Sequence, residues 1–153
     1  MIQVELQNTA AVLRTLARTT SPRTLRTAIM SMAESYTDDT LDFIQQGRGF
    51  QNRTGQLAQS IGWRPTGQDS AQVYANASYA AFVEFGTRPH VIMPKPGRKA
   101  LKIPVAGGYI LRRKVNHPGS RRFPYFFADR PKREERMIQR ALDVIIQAAQ
   151  TGN

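Results

Sequence analysis

The clearest pattern in the chain is a run of apolar positions at helical spacing between residues 21 and 47. Ser21 is a good N-cap, Pro22 suits the first helical position, and Gly47 follows the last apolar residue. The apolar positions recur every three or four residues, at Leu25, Ile29, Met32, Tyr36, Thr40 and Phe43. Because such a helix presents one apolar stripe to a core, the pattern predicts a long amphipathic helix over residues 21–47.

Residues 1–20 predict a strand followed by a helix. Ile2, Val4 and Leu6 alternate with polar residues, which is the period of a half-buried strand. Asn8 can then cap a helix whose apolar residues are Val12, Leu13 and Leu16.

A second long helix is predicted over residues 129–149. Asp129 and Pro131 are typical of a helix start. Its apolar stripe consists of Met137, Ile138, Ala141, Leu142, Ile145 and Ala148.

Between the long helices, residues 54–128 contain short runs separated by turn residues, which is typical of β hairpins. One predicted hairpin joins strands near 57–64 and 71–76. Another joins strands at 99–105 and 109–115, and Pro104 makes the first of these an edge strand or places a bulge there.

The remaining segments of this part predict a short helix and two loops. Residues 79–86 suit about one helical turn stopped by Gly86, and residues 87–97 and 116–124 predict extended loops. The sequence therefore predicts one α+β domain over residues 1–153, in which a small antiparallel sheet of hairpins packs with the two long helices and carries extended loops.

The charges are concentrated in one part of the chain. Lysine and arginine total 22 and aspartate and glutamate total 11, which gives a formal net charge of +11. Residues 86–127, named here the basic span, contain ten basic residues and no acidic residue. Such a block repels itself and favours an anionic partner, either nucleic acid or an acidic protein surface. The alternative interpretation is a solvated basic face kept for solubility.

No motif for catalysis or cofactor binding is present in the sequence. The absence of cysteine excludes disulfides and thiolate chemistry. There is no Gly-x-Ser-x-Gly elbow, and His90 and His117 with Glu84 match no known metal-ligand spacing. No apolar run approaches the roughly 20 residues that span a bilayer. We therefore expect no enzymatic activity, no cofactor, no metal site and no membrane partner.

Several short motifs occur in order between about residue 20 and residue 148. The most specific are Phe-Val-Glu-Phe-Gly-Thr at residues 82–87 and His-Pro-Gly at residues 117–119. The others are Arg53-Thr54-Gly55-Gln56-Leu57, Ser60-Ile61, Pro89-His90-Val91-Ile92-Met93-Pro94-Lys95 and Lys99-Ala100-Leu101. Together they resemble the tail-completion or head-tail joining proteins of the neck of long-tailed bacteriophages.

The resemblance implies a structural virion protein with an α+β fold and no catalytic activity. It would form a ring, a hexamer or alternatively a dodecamer, in the phage neck or at the head-proximal end of the tail, and complete the tail for head attachment. Its partners would be other copies of itself and adjacent neck, connector, tail-terminator or tail-tube proteins. Assembly would take place in the cytoplasm of the bacterial host, and the protein would be located in the virion.

The loops at 87–98 and 116–124 are natural arms for reaching a neighbouring subunit, and the edge strand at 99–105 could be completed by a partner's chain. The candidate interface residues are Glu84, Arg88, His90, Lys95, Arg98, Lys99, His117, Arg121 and Arg122. The candidates for facing packaged DNA in the lumen of a ring, without sequence specificity, are Lys102, Arg112, Arg113 and Lys114.

The motif residues of the short helix are expected to be architectural. Gly55 and Gly86 would supply turn conformations, and anchoring on the core is expected of Phe82, Val83 and Phe85. We expect Glu84 to pair with Arg88 or with an arginine of a neighbouring subunit, so that its loss weakens ring assembly while the subunit still folds.

Two other function classes stay open. One is a basic nucleic-acid-binding module, which steep salt dependence of binding to duplex DNA would favour. The other is a small toxin or enzyme whose site carries no familiar motif. Ring formation, or binding to a tail-tube or connector protein without DNA, would favour the virion protein.

Overall fold

The computed structural model of the chain describes residues 1–5, 20–48 and 54–151. It contains helices and small antiparallel sheets, which confirms the α+β class. The helices are α1 (Pro22–Gln45), α2 (Gln56–Gln59), α3 (Ala80–Phe85) and α4 (Arg130–Thr151). The strands are β1 (Ile2–Glu5), β2 (Ile61–Pro65), β3 (Ala71–Ala75), β4 (His90–Ile92), β5 (Leu101–Val105), β6 (Gly108–Arg112) and β7 (Val115–His117). The helix predicted around Val12, Leu13 and Leu16 lies outside the described residues.

Helix α1 forms as its cap and apolar stripe predict. The Ser21 hydroxyl accepts a hydrogen bond from the backbone N–H of Thr24 at 3.2 Å, and Pro22 is the first helical residue. The chain leaves the helix at Gln46, before Gly47 with φ of 67°. The buried face includes the predicted positions Ile29, Met32, Tyr36 and Thr40 and also Ala28, Ala33 and Ile44.

Strand β3 lies at the centre of a three-stranded antiparallel sheet in the order β1-β3-β2. Ile2 pairs with Ala75 on one side, and Ile61 pairs with Ala75 on the other. This confirms the amino-terminal strand and the first predicted hairpin. Val73 and Ala75 are completely buried because the sheet packs against α1.

The prediction of a strand near 57–64 is wrong for residues 57–60 and correct from Ile61 onward. Gly55 has φ of 71°, which turns the chain into the short helix α2, and β2 begins only at Ile61. Leu57 and Ile61 are both buried, but they reach the core from different elements, α2 and β2.

Helix α4 packs against α1, and the contact between these helices forms much of the core. Met137 and Ala141 of the predicted stripe are buried, as are the aromatic rings of Tyr125 and Phe126, which precede the helix. None of the helices in the described part of the chain is long and apolar enough to cross a membrane.

Two small antiparallel sheets lie within the basic span. β5 and β6 form the second predicted hairpin, with Val105 opposite Gly108 and a two-residue loop between them. β4 and β7 form the other sheet. This second sheet corrects the prediction that residues 87–97 and 116–124 are wholly extended loops. Its strands are only three residues long and distant in sequence, so no local pattern indicates them.

Candidate functional site

The two most specific sequence motifs meet in space. Thr87 and Ser120 form an antiparallel bridge in which each backbone N–H donates to the carbonyl oxygen of the other residue at 3.1 Å. Gly86 and Gly119 flank this bridge with φ of 73° and 85°, a conformation that favours glycine. A Cβ on Gly86 would lie 2.5 Å from the Ser120 carbonyl oxygen, and one on Gly119 would collide with that of Thr87. The close approach of the two segments therefore requires both glycines. The predicted turn roles of Gly55 and Gly86 are confirmed.

Glu84 ties α3 to the segment that precedes α4. Its Oε2 accepts hydrogen bonds from the backbone N–H groups of Tyr125 and Phe126, both at 2.8 Å, and its Oε1 accepts one from Phe127 at 3.2 Å. The residue is 3% exposed, and charge-assisted hydrogen bonds of this kind are strong. The structure thus corrects the expected ion pair with Arg88 or a neighbour's arginine, because the Glu84 carboxylate is used inside its own subunit.

The way α3 sits on the core also differs from the prediction. Ala80 and Glu84, one helical turn apart, form its buried face. Val83 is half-buried, whereas Phe82 and Phe85 are 58% and 63% exposed. A six-residue helix can bury only one side, and the small Ala80 lets that side approach closely enough for Glu84 to reach the backbone.

Arg133 is a buried cation that the sequence analysis missed. It is 1% exposed, and its Nη1 donates to the Thr40 hydroxyl and to the carbonyl oxygen of Phe126, both at 2.9 Å. The guanidinium also lies 5.6 Å from the ring centre of Tyr36 and 5.3 Å from that of Phe43. Burial lowers the pKa of Arg133. Its place one turn before the buried Met137 and two before Ala141 is the signal that could have identified it.

These contacts fix residues 125–127 from both sides. The Phe126 N–H donates to Glu84, while its carbonyl oxygen accepts from the Tyr36 hydroxyl at 2.7 Å and from Arg133. Burial raises the pKa of Tyr125, and the nearby Glu84 carboxylate raises it further. The N–H of Phe123 also donates to the carbonyl oxygen of Val83 at 2.8 Å. The two ends of the basic span are therefore held together at the core, where Val83 and Glu84 bind the backbone of Phe123 and Tyr125.

The basic span itself is exposed. All ten of its basic residues are exposed, and none forms a salt bridge with another described residue. Lys102 lies with its Nζ 3.9 Å from the ring centre of Tyr109, and the guanidinium of Arg121 lies 4.6 Å from that of Phe123. The structure places the basic residues before β4 (Arg88), between β4 and β5 (Lys95, Arg98, Lys99), in β5 and β6 (Lys102, Arg112), between β6 and β7 (Arg113, Lys114) and after β7 (Arg121, Arg122). Their interface and lumen roles stay predictions.

The histidines form a cross-strand pair in the β4-β7 sheet. His90 lies opposite His117, with ring centres 5.0 Å apart. His90 Nδ1 is 2.8 Å from the carbonyl oxygen of Arg88, and His117 Nδ1 accepts from the Gly119 N–H at 3.0 Å. Both rings therefore hold their loops in place. Nowhere in residues 1–5, 20–48 or 54–151 do three metal-ligating side chains come together.

An open groove of about 720 Å³ runs beside the histidine pair, lined by Phe82, Gly86, Thr87, Arg88, His90, Ile92, His117 and Ser120. Further apolar side chains, those of Phe85, Val91 and Met93, are exposed on α3, β4 and the residue after it. An exposed apolar surface bordered by polar residues is typical of a protein interaction site.

Comparison with known proteins identifies the family. A family model described as "Bacteriophage HK97-gp10, putative tail-component" matches residues 1–86. No curated protein and no solved structure matches the chain. The matched region contains α1, the three-stranded sheet and α3, and it ends where the basic span begins. This match covers more than half of the 153 residues and confirms the phage resemblance of the sequence motifs. The chain therefore belongs to the HK97-gp10-like family of bacteriophage tail components.

Proposed function

We propose that this tail component forms a ring in the phage neck or at the head-proximal end of the tail, where it completes the tail for head attachment. The observation that carries the proposal is the hairpin arm, defined as β5 and β6 (residues 101–112). All five residues of β6 are exposed, including Tyr109, Ile110 and Leu111. A subunit that leaves such apolar strands uncovered is suited to assembly with other chains.

The geometry of the subunit supports a closed ring. The hairpin arm and the helical core are different surfaces of one chain, so a contact between the arm of one copy and the core of the next is heterologous. Repetition of a heterologous contact gives a ring when the rotation closes. Glu84 and Arg133 bind the backbone of residues 125 and 126, where the basic span ends. These contacts pre-organise the hairpin arm, which reduces the entropy lost on binding. A hexamer, or alternatively a dodecamer, stays our prediction for the copy number.

The role we infer is structural, without bond-making or bond-breaking. Glu84, one of the two carboxylates nearest in sequence to the basic span, already accepts three backbone hydrogen bonds. It is therefore not available as a base or as a metal ligand. The exposed side chains around the groove and the hairpin arm are those of a binding surface.

The experiment that tests the proposal removes the protein from the phage that encodes it. An amber codon early in the gene should give DNA-filled heads and separate tails in a non-suppressing host, because the joint is missing. Supplying the wild-type chain from a plasmid should restore joined, infectious particles. Joined particles at normal titre without the protein would overturn the proposal.

A basic nucleic-acid-binding module is the second candidate function, favoured by the ten exposed basic residues that no described acidic side chain neutralises. If DNA binding is the main role, the purified monomer should bind duplex DNA with a steep dependence on salt concentration. Sedimentation of the protein alone distinguishes the two candidates, because only the first expects a closed oligomer without DNA.

A further inference from the structure

The hairpin arm has one face that is almost entirely apolar. Side chains directly opposite each other in an antiparallel pair lie on the same face. Leu101 lies opposite Arg112, Ile103 opposite Ile110, and Val105 opposite Gly108. This face therefore carries the four aliphatic side chains of Leu101, Ile103, Val105 and Ile110. Its one charged residue, Arg112, lies at the end of the arm opposite the turn. Ile110 and Val105 are 39% and 45% exposed, whereas Leu101 and Ile103 are half-buried.

This apolar face favours a protein partner over DNA. A two-stranded hairpin is at best marginally stable in water by itself and gains from a surface that covers it. A phosphate backbone is recognised by charge and offers no apolar surface for Ile103 and Ile110. A protein surface can cover these side chains and remove them from water.

The charges at the root of the hairpin arm define the partner further. Arg112, Arg113 and Lys114 are consecutive and exposed, and no acidic residue lies anywhere in the basic span. These charges favour an acidic surface as the one that receives the arm.

The chain itself presents such a surface on α1. Glu34, Asp38 and Asp42 follow one another at intervals of four residues, so they form one exposed row, named here the acidic stripe. The neighbouring Asp39 is already paired with Arg136 of α4 at 2.8 Å, whereas no described basic residue forms a salt bridge with the stripe. The described residues contain no second helix face with three exposed carboxylates in a row.

The acidic stripe is costly to a subunit that stands alone. Like charges four residues apart on a helix repel each other, and acidic residues in the second half of a helix oppose its dipole. Partial burial and then the charges of Glu34 and Asp42 raise the pKa of Asp38, although Arg140 of α4 offsets part of this. A basic partner would relieve the repulsion.

We propose that the hairpin arm of one subunit docks on the acidic stripe of a second copy of this chain. The apolar face lies against the half-buried Leu41 at the stripe, and Arg112, Arg113 and Lys114 pair with Glu34, Asp38 and Asp42. This inference rests on the proposed ring, to which it assigns the two surfaces that meet.

A charge swap tests the docking. The stripe variant E34K/D38K/D42K and the arm variant R112E/R113E/K114E should each remain monomeric at concentrations where the wild type assembles. We expect each to weaken self-association at least about 100-fold, because like charges then face each other. The chain that carries all six substitutions should assemble again, since its two surfaces are once more complementary.

Mixing the two variants gives a sharper result. Each junction between a stripe variant and an arm variant is complementary, so an equimolar mixture should form rings in which the two chains alternate. Alternation closes only with an even number of copies, and native mass spectrometry can count both chains in each ring. Circular dichroism and urea unfolding of each variant confirm that the subunits are folded.

Matched controls reverse three exposed charges elsewhere. D69K/E135K/D143K and R23E/R26E/K132E change the net charge as much as the stripe and arm variants do, but at sites outside both surfaces. Both should assemble like the wild type. Ile110→Asp, which changes the apolar face alone, should weaken assembly also at high salt, where charge pairs are screened.

The outcomes separate this inference from the proposed function. Wild-type rings that are insensitive to both charge reversals would overturn the docking and leave the ring intact. A wild-type chain that stays monomeric would overturn the ring and the docking together. If the arm variant forms normal rings but loses binding to duplex DNA, the arm is a nucleic-acid surface and the docking is wrong.

Discussion

The carboxylate of Glu84 holds the backbone N–H of Tyr125 at 2.8 Å, across the root of the basic span. The two residues stand on either side of every exposed loop and strand that the sequence assigns to partner binding. Their contact holds together the two ends of the segment between residues 84 and 125. The position of the binding surface therefore depends on a buried charge in the core.

Replacing Glu84 should destabilise the subunit itself. Glu84→Ala removes the acceptor of two buried and one part-buried backbone N–H groups, so we expect the free energy of unfolding in urea to fall by about 3 kcal/mol. The exposed Glu135→Ala on α4 is the control and should change it by less than about 0.5 kcal/mol. If the Glu84→Ala subunit has normal stability but fails to assemble, Glu84 acts at the subunit interface, as the sequence predicts, and not in the core.

Helices and hairpins with strong local signals were predictable from the sequence. Helix α1 has a capping serine, a proline at its start and a regular stripe, and helix α4 has a similar stripe. The β5-β6 hairpin is specified by alternation and by glycines at its turn. In each case the pattern that specifies the element lies within one short segment of the chain.

The roles of the charged residues could not be predicted in the same way. Arg133 stands in a run of charged residues that looks solvated, and Glu84 stands beside exposed phenylalanines. Both are buried because of partners far away in sequence, Thr40 for the first and Tyr125 for the second. The burial of a charge depends on such distant partners, and no local period encodes them.

Arg133 should tolerate an apolar replacement of its own shape better than truncation. Arg133→Ala leaves a cavity in the core, and we expect a loss of about 3 kcal/mol in the free energy of unfolding. Arg133→Met fills the space, and the Phe126 carbonyl keeps its hydrogen bond from Tyr36. The methionine variant should therefore recover more than half of that loss.

Urea unfolding of both variants, with the exposed Lys132→Ala as control, measures the difference. Equal losses for alanine and methionine would show that the hydrogen bonds and charge of Arg133 outweigh its packing.

Asp38 should make stability depend on pH. Its pKa is raised in the folded state, so its charged form costs stability above that pKa, and the cost disappears as the pH falls and both states become protonated. Asp38→Asn should therefore raise the free energy of unfolding at pH 7 by about 0.3 kcal/mol, and added salt should reduce the part of this gain that comes from repulsion by Glu34 and Asp42.

At pH 3 the Asp38→Asn variant and the wild type should have the same stability in urea. Glu135→Gln is the matched control, with no gain expected at either pH. A loss of stability at pH 7 on replacing Asp38 would mean that its charge already has a favourable partner within the subunit.

Gly119 should be more sensitive to alanine than a glycine of the same backbone conformation in open space. Gly119 and Gly107 have φ of 85° and 83°, but only a Cβ at Gly119 would collide with the Thr87 carbonyl oxygen. Gly107→Ala therefore measures the conformational strain alone, about 1 kcal/mol, and Gly119→Ala should cost clearly more because the bridge to Thr87 must open.

Hydrogen exchange of the Thr87 and Ser120 amides reports on that bridge directly. Their exchange should accelerate in Gly119→Ala and stay unchanged in Gly107→Ala, since the turn of the hairpin arm is remote from the bridge in sequence. Equal costs and equal exchange in the two variants would mean that the chain segments separate easily at this point. The bridge between Thr87 and Ser120 would then not be what holds the two ends of the basic span together. Glu84 and Arg133 alone would hold them.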